Sequence, residues 1–277
     1  GIHSSIKDEL LNRDGTLRNE YRDRFELQVG PVLNTEYLAI NIGNDFQESP
    51  LANKTFRMAL NHAIDRRKMI DFLRNNIGAP AENGFIPFSL PGFGTTGYEY
   101  NPEKAKELLK ASGVTNAELI LNTTKDYLDL SVFIQQEFAR IGVKCQIEVL
   151  PSSRLKEEKM HGKLNFFRAS WIADYPDAEN YMSCFFSENF SPNGPNYTRF
   201  SNDIFDGKYK ESLKSNDLKQ RLALYREMDS IILAESPVIV LFYDQSLRLL
   251  SKRLKGLPGN AQNIPMFKYA YLENSQN

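Results

Sequence analysis

Residues 171–181 read WIADYPDAENY: the only tryptophan of the chain, then three acids within six positions around a proline, directly after the apolar run LNFFRAS. Such a cluster suits a metal loop, a catalytic pair of acids, a seat for a cation, or a plain strand-to-helix turn. Asp174, Asp177 and Glu179 lack the glycine and the alternating acids of a calcium loop. A catalytic pair made of Asp174 and Asp177 needs a cleft and a raised pKa, and acids three residues apart across a proline seldom converge on one bond. Asp177 reads as the cap of a helix that starts near Ala178, with Glu179 in its favoured first turn. Asp174 is different. It falls at the carboxyl end of a strand in an α/β unit, where such folds place ligands. A lone carboxylate there, walled by Trp171 and Tyr175, is a natural seat for an ammonium group.

Elsewhere the sequence offers little chemistry. His3, His62 and His161 are isolated, and no HExxH, GxSxG, GxGxxG or Walker pattern occurs. Two SxxK matches, Ser4–Lys7 and Ser153–Lys156, lack their companion motifs. No metal, cofactor or catalytic residue is therefore expected. Cys145, in the alternating run VKCQIEV, and Cys184 are expected to be unbridged. A formal net charge of −1 over 277 residues argues against a nucleic-acid partner, which needs a clustered basic surface. No stretch of about 18 apolar residues is present to span a membrane. The N-terminus shows no charged region followed by an apolar run, so no signal peptide is expected in this chain.

The elements that must position Asp174 follow from periodicity. EYLAINI (36–42) reads as a strand, and KTFRMALNHAIDRRKMIDFLRN (54–75) as one helix capped by Asn53. In that helix Phe56, Ala59, Leu60, Ala63, Ile64, Ile70 and Leu73 form the apolar stripe. Residues 78–100 read as a long loop. A helix over 101–113 starts at Asn101–Pro102 and stops at Gly113. AELILN, a helix over 128–141 with Leu128, Val132, Phe138 and Ile141 inward, and VKCQIEVL together predict a parallel βαβ unit. Helices are expected over 152–160, 203–213 and 217–235, and strands over 164–170 and in SPVIVLFYD, followed by a tail of short extended pieces. The fold class is α/β.

Five stretches in order, FRMALNHAIDRRKMI, YNPEKAKELLKASGV, FFRASWIADYPDAENY, NYTRFSNDIFD and ESPVIVLFYDQ, resemble the markers of the peptide-binding proteins of ABC transporters, the dipeptide/oligopeptide solute-binding family 5. The resemblance runs from about residue 34 to the C-terminus. It implies the second lobe of a type II periplasmic-binding-protein-like fold, with hinge strands and first-lobe remnants at both ends: residues 1–35 a first-lobe remnant and hinge crossing, 36–243 the peptide-binding lobe, 244–277 the hinge return and first-lobe remnant. Both crossings, near GPVLNTEY and FYDQSLRL, must run side by side. The end segments are expected to pack less well than the lobe, pairing with each other or with a symmetry mate, or staying mobile.

The resemblance further implies a binding protein rather than an enzyme. Its partners would be an extended peptide, a membrane permease and the missing N-terminal lobe, in the periplasm or anchored as a lipoprotein on the outer side of the bacterial inner membrane. The position of Asp174 receives the peptide's α-ammonium, within the stretch Trp171, Ala173 and Tyr175. Lys125, in the loop after AELILN, is either a holder of the peptide carboxylate or solvated surface. Arg168 shares strand parity with Asp174 and is a partner for it, a partner for a ligand carboxylate, or a hinge or surface arginine. Relatives that bind nickel complexes or haem define the alternative ligand class, and a hydrolase using Asp174 and Asp177 is the less favoured reading.

Overall fold

The computed structural model describes residues 4–273. Its elements are α1 (Ser4–Leu10), α2 (Asn19–Arg22), β1 (Phe25–Ile40), α3 (Lys54–His62), α4 (Arg66–Arg74), β2 (Ala79–Pro80), α5 (Pro102–Ser112), β3 (Glu118–Thr123), α6 (Leu128–Arg140), β4 (Lys144–Val149), α7 (Ser152–Met160), β5 (Phe166–Ile172), α8 (Glu179–Met182), α9 (Asp203–Lys214), α10 (Leu218–Glu235), β6 (Val238–Ser251), β7 (Leu254–Lys255) and β8 (Tyr271–Leu272). Six strands form one mixed sheet in the order β2-β6-β1-β5-β3-β4. β1 runs antiparallel to both β5 and β6, while β3 is parallel to β4 and β5, as a strand–helix–strand unit requires.

Alternation along the strands sends side chains to two cores. Leu38, Ile40, Phe166, Ile239 and Leu241 pack against α3 to α6 on one face. Tyr37, Ala39, Phe167, Ala169, Val238 and Val240 pack against α7 to α10 on the other. A sheet covered on both sides explains why β6 opens on the unbroken apolar run VIVLFY. Cys145 and Cys184 are free and buried in separate cores across the sheet.

Three expectations need correcting. The single helix over 54–75 is two, broken after His62. Asp65 Oδ1 accepts from Lys68 N at 3.0 Å and caps the second. The break leaves the carbonyls of Asn61 and Ile64 without helical partners, and the buried Arg66 guanidinium donates to both, and to Val240 O across the sheet. In α6 it is Leu130, Phe133, Ile134 and Phe138 that face inward, with Ile141 after them, whereas Leu128 and Val132 are 39% and 36% exposed. Apolar residues occur on both sides of that helix, and only contact with the sheet selects the buried face. Finally, the strands at 36–42 and 236–244 are much longer, because their outer halves are paired by backbone rather than by an apolar run.

Those outer halves pair with each other, from Phe25 opposite Ser251 to Pro31 opposite Gln245, and after a register shift from Thr35 opposite Tyr243 to Ala39 opposite Val238. Residues 30–36 and 243–249 thus run side by side. The N-terminal segment closes over this ribbon through Leu11, Leu17, Ile77 and Leu247, and the C-terminal segment ends in the small β7–β8 ribbon.

The loop over residues 81–100 is fastened by Asp229 of α10, whose Oδ1 accepts from Phe85 N at 2.7 Å. A Cβ on Gly84 would stand 1.8 Å from Asp229 Oδ2, so any larger residue there would push the carboxylate away. Asp229 is fully buried, and burial pushes its pKa up to about 6 from an ordinary 3.8. The folded chain therefore favours the protonated acid: its contribution is fully present below about pH 4 and is lost as the pH rises through about 6. Asp229→Asn removes this titration. Relative to the variant, the unmodified chain should lose roughly 3 kcal/mol of stability between pH 4 and pH 7. Parallel urea denaturation curves for the two proteins over that range would contradict the assignment.

Candidate functional site

Asp174 lies just past the end of β5, on a turn built from its own neighbours. The β1–β5 pairing extends one step beyond the strand, with Ala173 N donating to Leu33 O at 2.9 Å. Asn180, buried at the start of α8, then gathers the turn through one atom. Its Oδ1 accepts from Trp171 Nε1 at 2.9 Å and from Asp174 N at 3.2 Å. Trp171 and Ala173 are partly buried, while Asp174 and Tyr175 are exposed.

The three acids have separate fates. Asp177 Oδ1 accepts from Glu179 N at 2.9 Å, which caps α8, and its other oxygen pairs with Arg221 at 2.5 Å. Glu179, 9% exposed, accepts from the hydroxyls of Tyr175 and Tyr209. Burial, and then its bond to Glu179, raise the Tyr175 pKa. Asp174 alone has a carboxylate with no hydrogen bond or ion pair among the described residues. Asp177 is thus committed to Arg221 and to the helix cap, and the expected Asp174/Asp177 pair is not assembled.

Asn180 was not anticipated from the sequence, where a lone asparagine four residues before a cysteine carries no signal. Asn180→Ala leaves the indole N–H and the Asp174 amide without their acceptor, at a cost of roughly 1–3 kcal/mol. Because Trp171 is the only tryptophan, its emission reports the turn directly, and the variant should emit at longer wavelength as the ring loosens into water. An unchanged spectrum would mean that Asn180 does not hold the turn.

Arg168 does not reach Asp174. Its guanidinium pairs with Glu36, Nε to Oε2 at 3.1 Å, and stacks over the Tyr127 ring with Cζ 3.5 Å from the centroid. The reason is register. Asn34, Glu36 and Leu38 stand opposite Ile172, Ser170 and Arg168 across the β1–β5 pair and share their face. Glu36, 3% exposed, is the nearer carboxylate, and burial raises its pKa although Arg168 acts against the rise. The chain of contacts continues through Asn34, whose Nδ2 donates to Glu36 Oε1 at 3.1 Å and to Asp244 Oδ2 at 3.4 Å, and ends at Arg74, 2.5 Å from Asp244. The alternation of VLNTEY, two polar residues of one parity in a buried strand, was the available signal for Asn34 and Glu36. Lys125 is exposed on the turn after β3.

Beside this network, at the carboxyl ends of β3 and β5, lies a cavity of about 400 Å³ whose walls include Asn34, Arg74, Asp126, Tyr127, Ile172 and Asp244. No group of three or more His, Cys, Asp or Glu among the described residues is placed to hold a metal ion. No helix among them is long and apolar enough to cross a membrane.

Residues 8–193 match the family model of the bacterial extracellular solute-binding proteins, family 5 Middle. The glutathione-binding protein GsiB of Salmonella typhimurium is 30% identical over 246 residues, covering 83% of this chain and 46% of that protein. Among solved structures, HbpA2 from Haemophilus parasuis superposes with a TM-score of 0.79 at 25% identity, over 90% of this chain and 50% of that one. DppA from Helicobacter pylori, solved with the peptide STSA, superposes with a TM-score of 0.81 at 25% identity, over 99% of this chain and 52% of that one. The chain belongs to the family 5 bacterial extracellular solute-binding proteins, and its mixed sheet with helices on both faces is their periplasmic-binding-protein fold. It spans about half the length of these relatives.

Proposed function

We propose that this chain is the carboxyl-terminal half of a solute-binding protein that captures extended peptides for an ABC permease, outside the bacterial inner membrane. Residues 36–243 are the binding lobe, and residues 1–35 and 244–277 belong to the hinge and the first lobe. One observation carries the reading. Of the three acids at the end of β5, two are held by internal partners, and Asp174 alone presents an accessible carboxylate with no partner among the described residues. An α-ammonium group satisfies it with charge-assisted hydrogen bonds, while the peptide backbone lies along strand edges of both lobes. Ligand contacts to both lobes favour the closed state of a hinge formed by β1 and β6. The similarity to a peptide-bound DppA and to a glutathione-binding protein supports this ligand class. Mass spectrometry of whatever co-purifies with the complete two-lobed protein should find short peptides with free amino termini. Recovery of a nickel chelate or haem instead would replace the peptide with the alternative ligand.

A further inference from the structure

The Asp174 turn hangs on a backbone rung that the sheet only half completes. Ala173 N donates to the carbonyl of Leu33, its opposite residue on β1, at 2.9 Å. A hydrogen-bonded pair of antiparallel residues exchanges both bonds, so the Leu33 N–H would ordinarily return to Ala173 O. It donates instead to Ala261 O in the C-terminal segment, also at 2.9 Å. The substitution occurs where β1 parts from its other neighbour. Pro31 is opposite Gln245 and Thr35 is opposite Tyr243, so Val32, Leu33 and Asn34 bulge out against Asp244 alone.

The segment that supplies the Ala261 carbonyl is itself fastened. Asn260 closes a turn on Ile264, its Oδ1 accepting from Ile264 N at 3.1 Å and its Nδ2 donating to Ile264 O at 2.6 Å. Both hinge strands tie the segment down. Gln28 of β1 donates to Leu257 O at 3.1 Å, and Arg248 of β6 donates to Asn263 Oδ1 at 2.8 Å. Ala261 packs on the same core as Leu33, Trp171 and Ala173. Residues 257–263 therefore form a strap across the hinge ribbon, bonded to the residue that carries the Asp174 turn.

We propose that this strap positions the ammonium anchor. Ala261 O completes the rung at Leu33, Leu33 holds Ala173, and Asp174 follows, so a movement of the C-terminal segment at the hinge changes the affinity of Asp174 for an amino terminus. By linkage, a ligand seated on Asp174 stiffens the strap in return. Ala261 and Asn260 are positioning residues that act through Leu33. The ligand half of the proposal rests on the peptide reading above, whereas the mechanical half is testable without any ligand.

Asn260→Ala opens the strap's turn, Arg248→Ala releases its tie to β6, and both residues lie outside the Asp174 turn. In the 277-residue chain carrying both changes, the amides of Leu33, Ala173 and Asp174 should exchange with solvent faster together, by roughly three- to ten-fold. Leu38 and Val240, in the middle of the sheet, should keep their rates. Acceleration of Leu33 alone, of none of the three, or of Leu38 and Val240 by the same factor overturns the proposal. In the complete two-lobed protein, Asn260→Ala should weaken binding of Ala-Ala-Ala several-fold and of its N-acetylated form hardly at all, because the strap acts through the anchor. Equal weakening of both peptides also overturns it, since a purely structural defect would not distinguish them. If free and acetylated Ala-Ala-Ala bind the unmodified protein alike, or not at all, the ammonium reading fails by itself, and the exchange rates still decide whether the strap holds the turn.

Discussion

Asp174→Asn should weaken peptide binding by the complete two-lobed protein by about ten-fold to several hundred-fold. A hydrogen bond to a charged, desolvated ammonium contributes roughly 1.5–3 kcal/mol, and leaving that ammonium enclosed without a counter-charge costs more. Asparagine keeps the shape of the turn, including the Asp174 N–H to Asn180 bond, so the change isolates the charge. N-acetylated peptides delete the same interaction from the other side. They should lose a similar amount against the unmodified protein and little further against the variant. Calorimetry on the four combinations measures the coupling, and equal affinity for free and acetylated peptides would take Asp174 out of the site. The 277-residue chain alone gives an internal control. There Asp174 is exposed, an exposed pair is worth about 1 kcal/mol at most, and binding of either peptide should be weak with a difference of only a few-fold.

Arg168→Met should be the most destabilising single change in the network, at roughly 3–5 kcal/mol. The Glu36 and Arg168 side chains are 4% and 13% exposed. Removing the guanidinium strands a buried carboxylate, and it also strips the stacked cation from Tyr127. The double variant Glu36→Gln/Arg168→Met should recover most of the loss, because neither charge remains. The pH dependence has a definite sign. Burial already holds the Glu36 pKa above its ordinary 4.5, and without Arg168 it rises further. In the single variant the folded state then favours a protonated Glu36, so its deficit is small below about pH 4.5 and grows toward neutrality. Urea denaturation at both ends of that range reads the difference. A deficit that is the same at pH 4 and pH 7, or one the double variant fails to repair, would show that packing rather than charge holds Arg168.

The local parts of this protein were legible in the sequence because local rules govern them. Asn101, Pro102 and Gly113 bound α5, with Asn101 Oδ1 on Lys104 N and Gly113 at φ +70. Asp177 caps α8, and the parallel β3–α6–β4 unit follows from its alternation and spacing. Asp174 stood out by its place at a strand end, and the order of five motifs pointed to the family. What the sequence left open depends on which segments meet. The helix over 54–75 has helical periodicity throughout, and only the packing of Arg66 against carbonyls of Asn61, Ile64 and Val240 explains its break. The outer halves of β1 and β6 carry no apolar run, and they are strands because each supplies the other's hydrogen bonds across more than 200 residues of chain. Arg168 and Asp174 share a strand parity, yet antiparallel register puts Glu36 of β1 nearer the guanidinium. Parity along one strand is a property of sequence, whereas the identity of the neighbouring strand, and hence the partner of every buried charge, is fixed only by the assembled sheet.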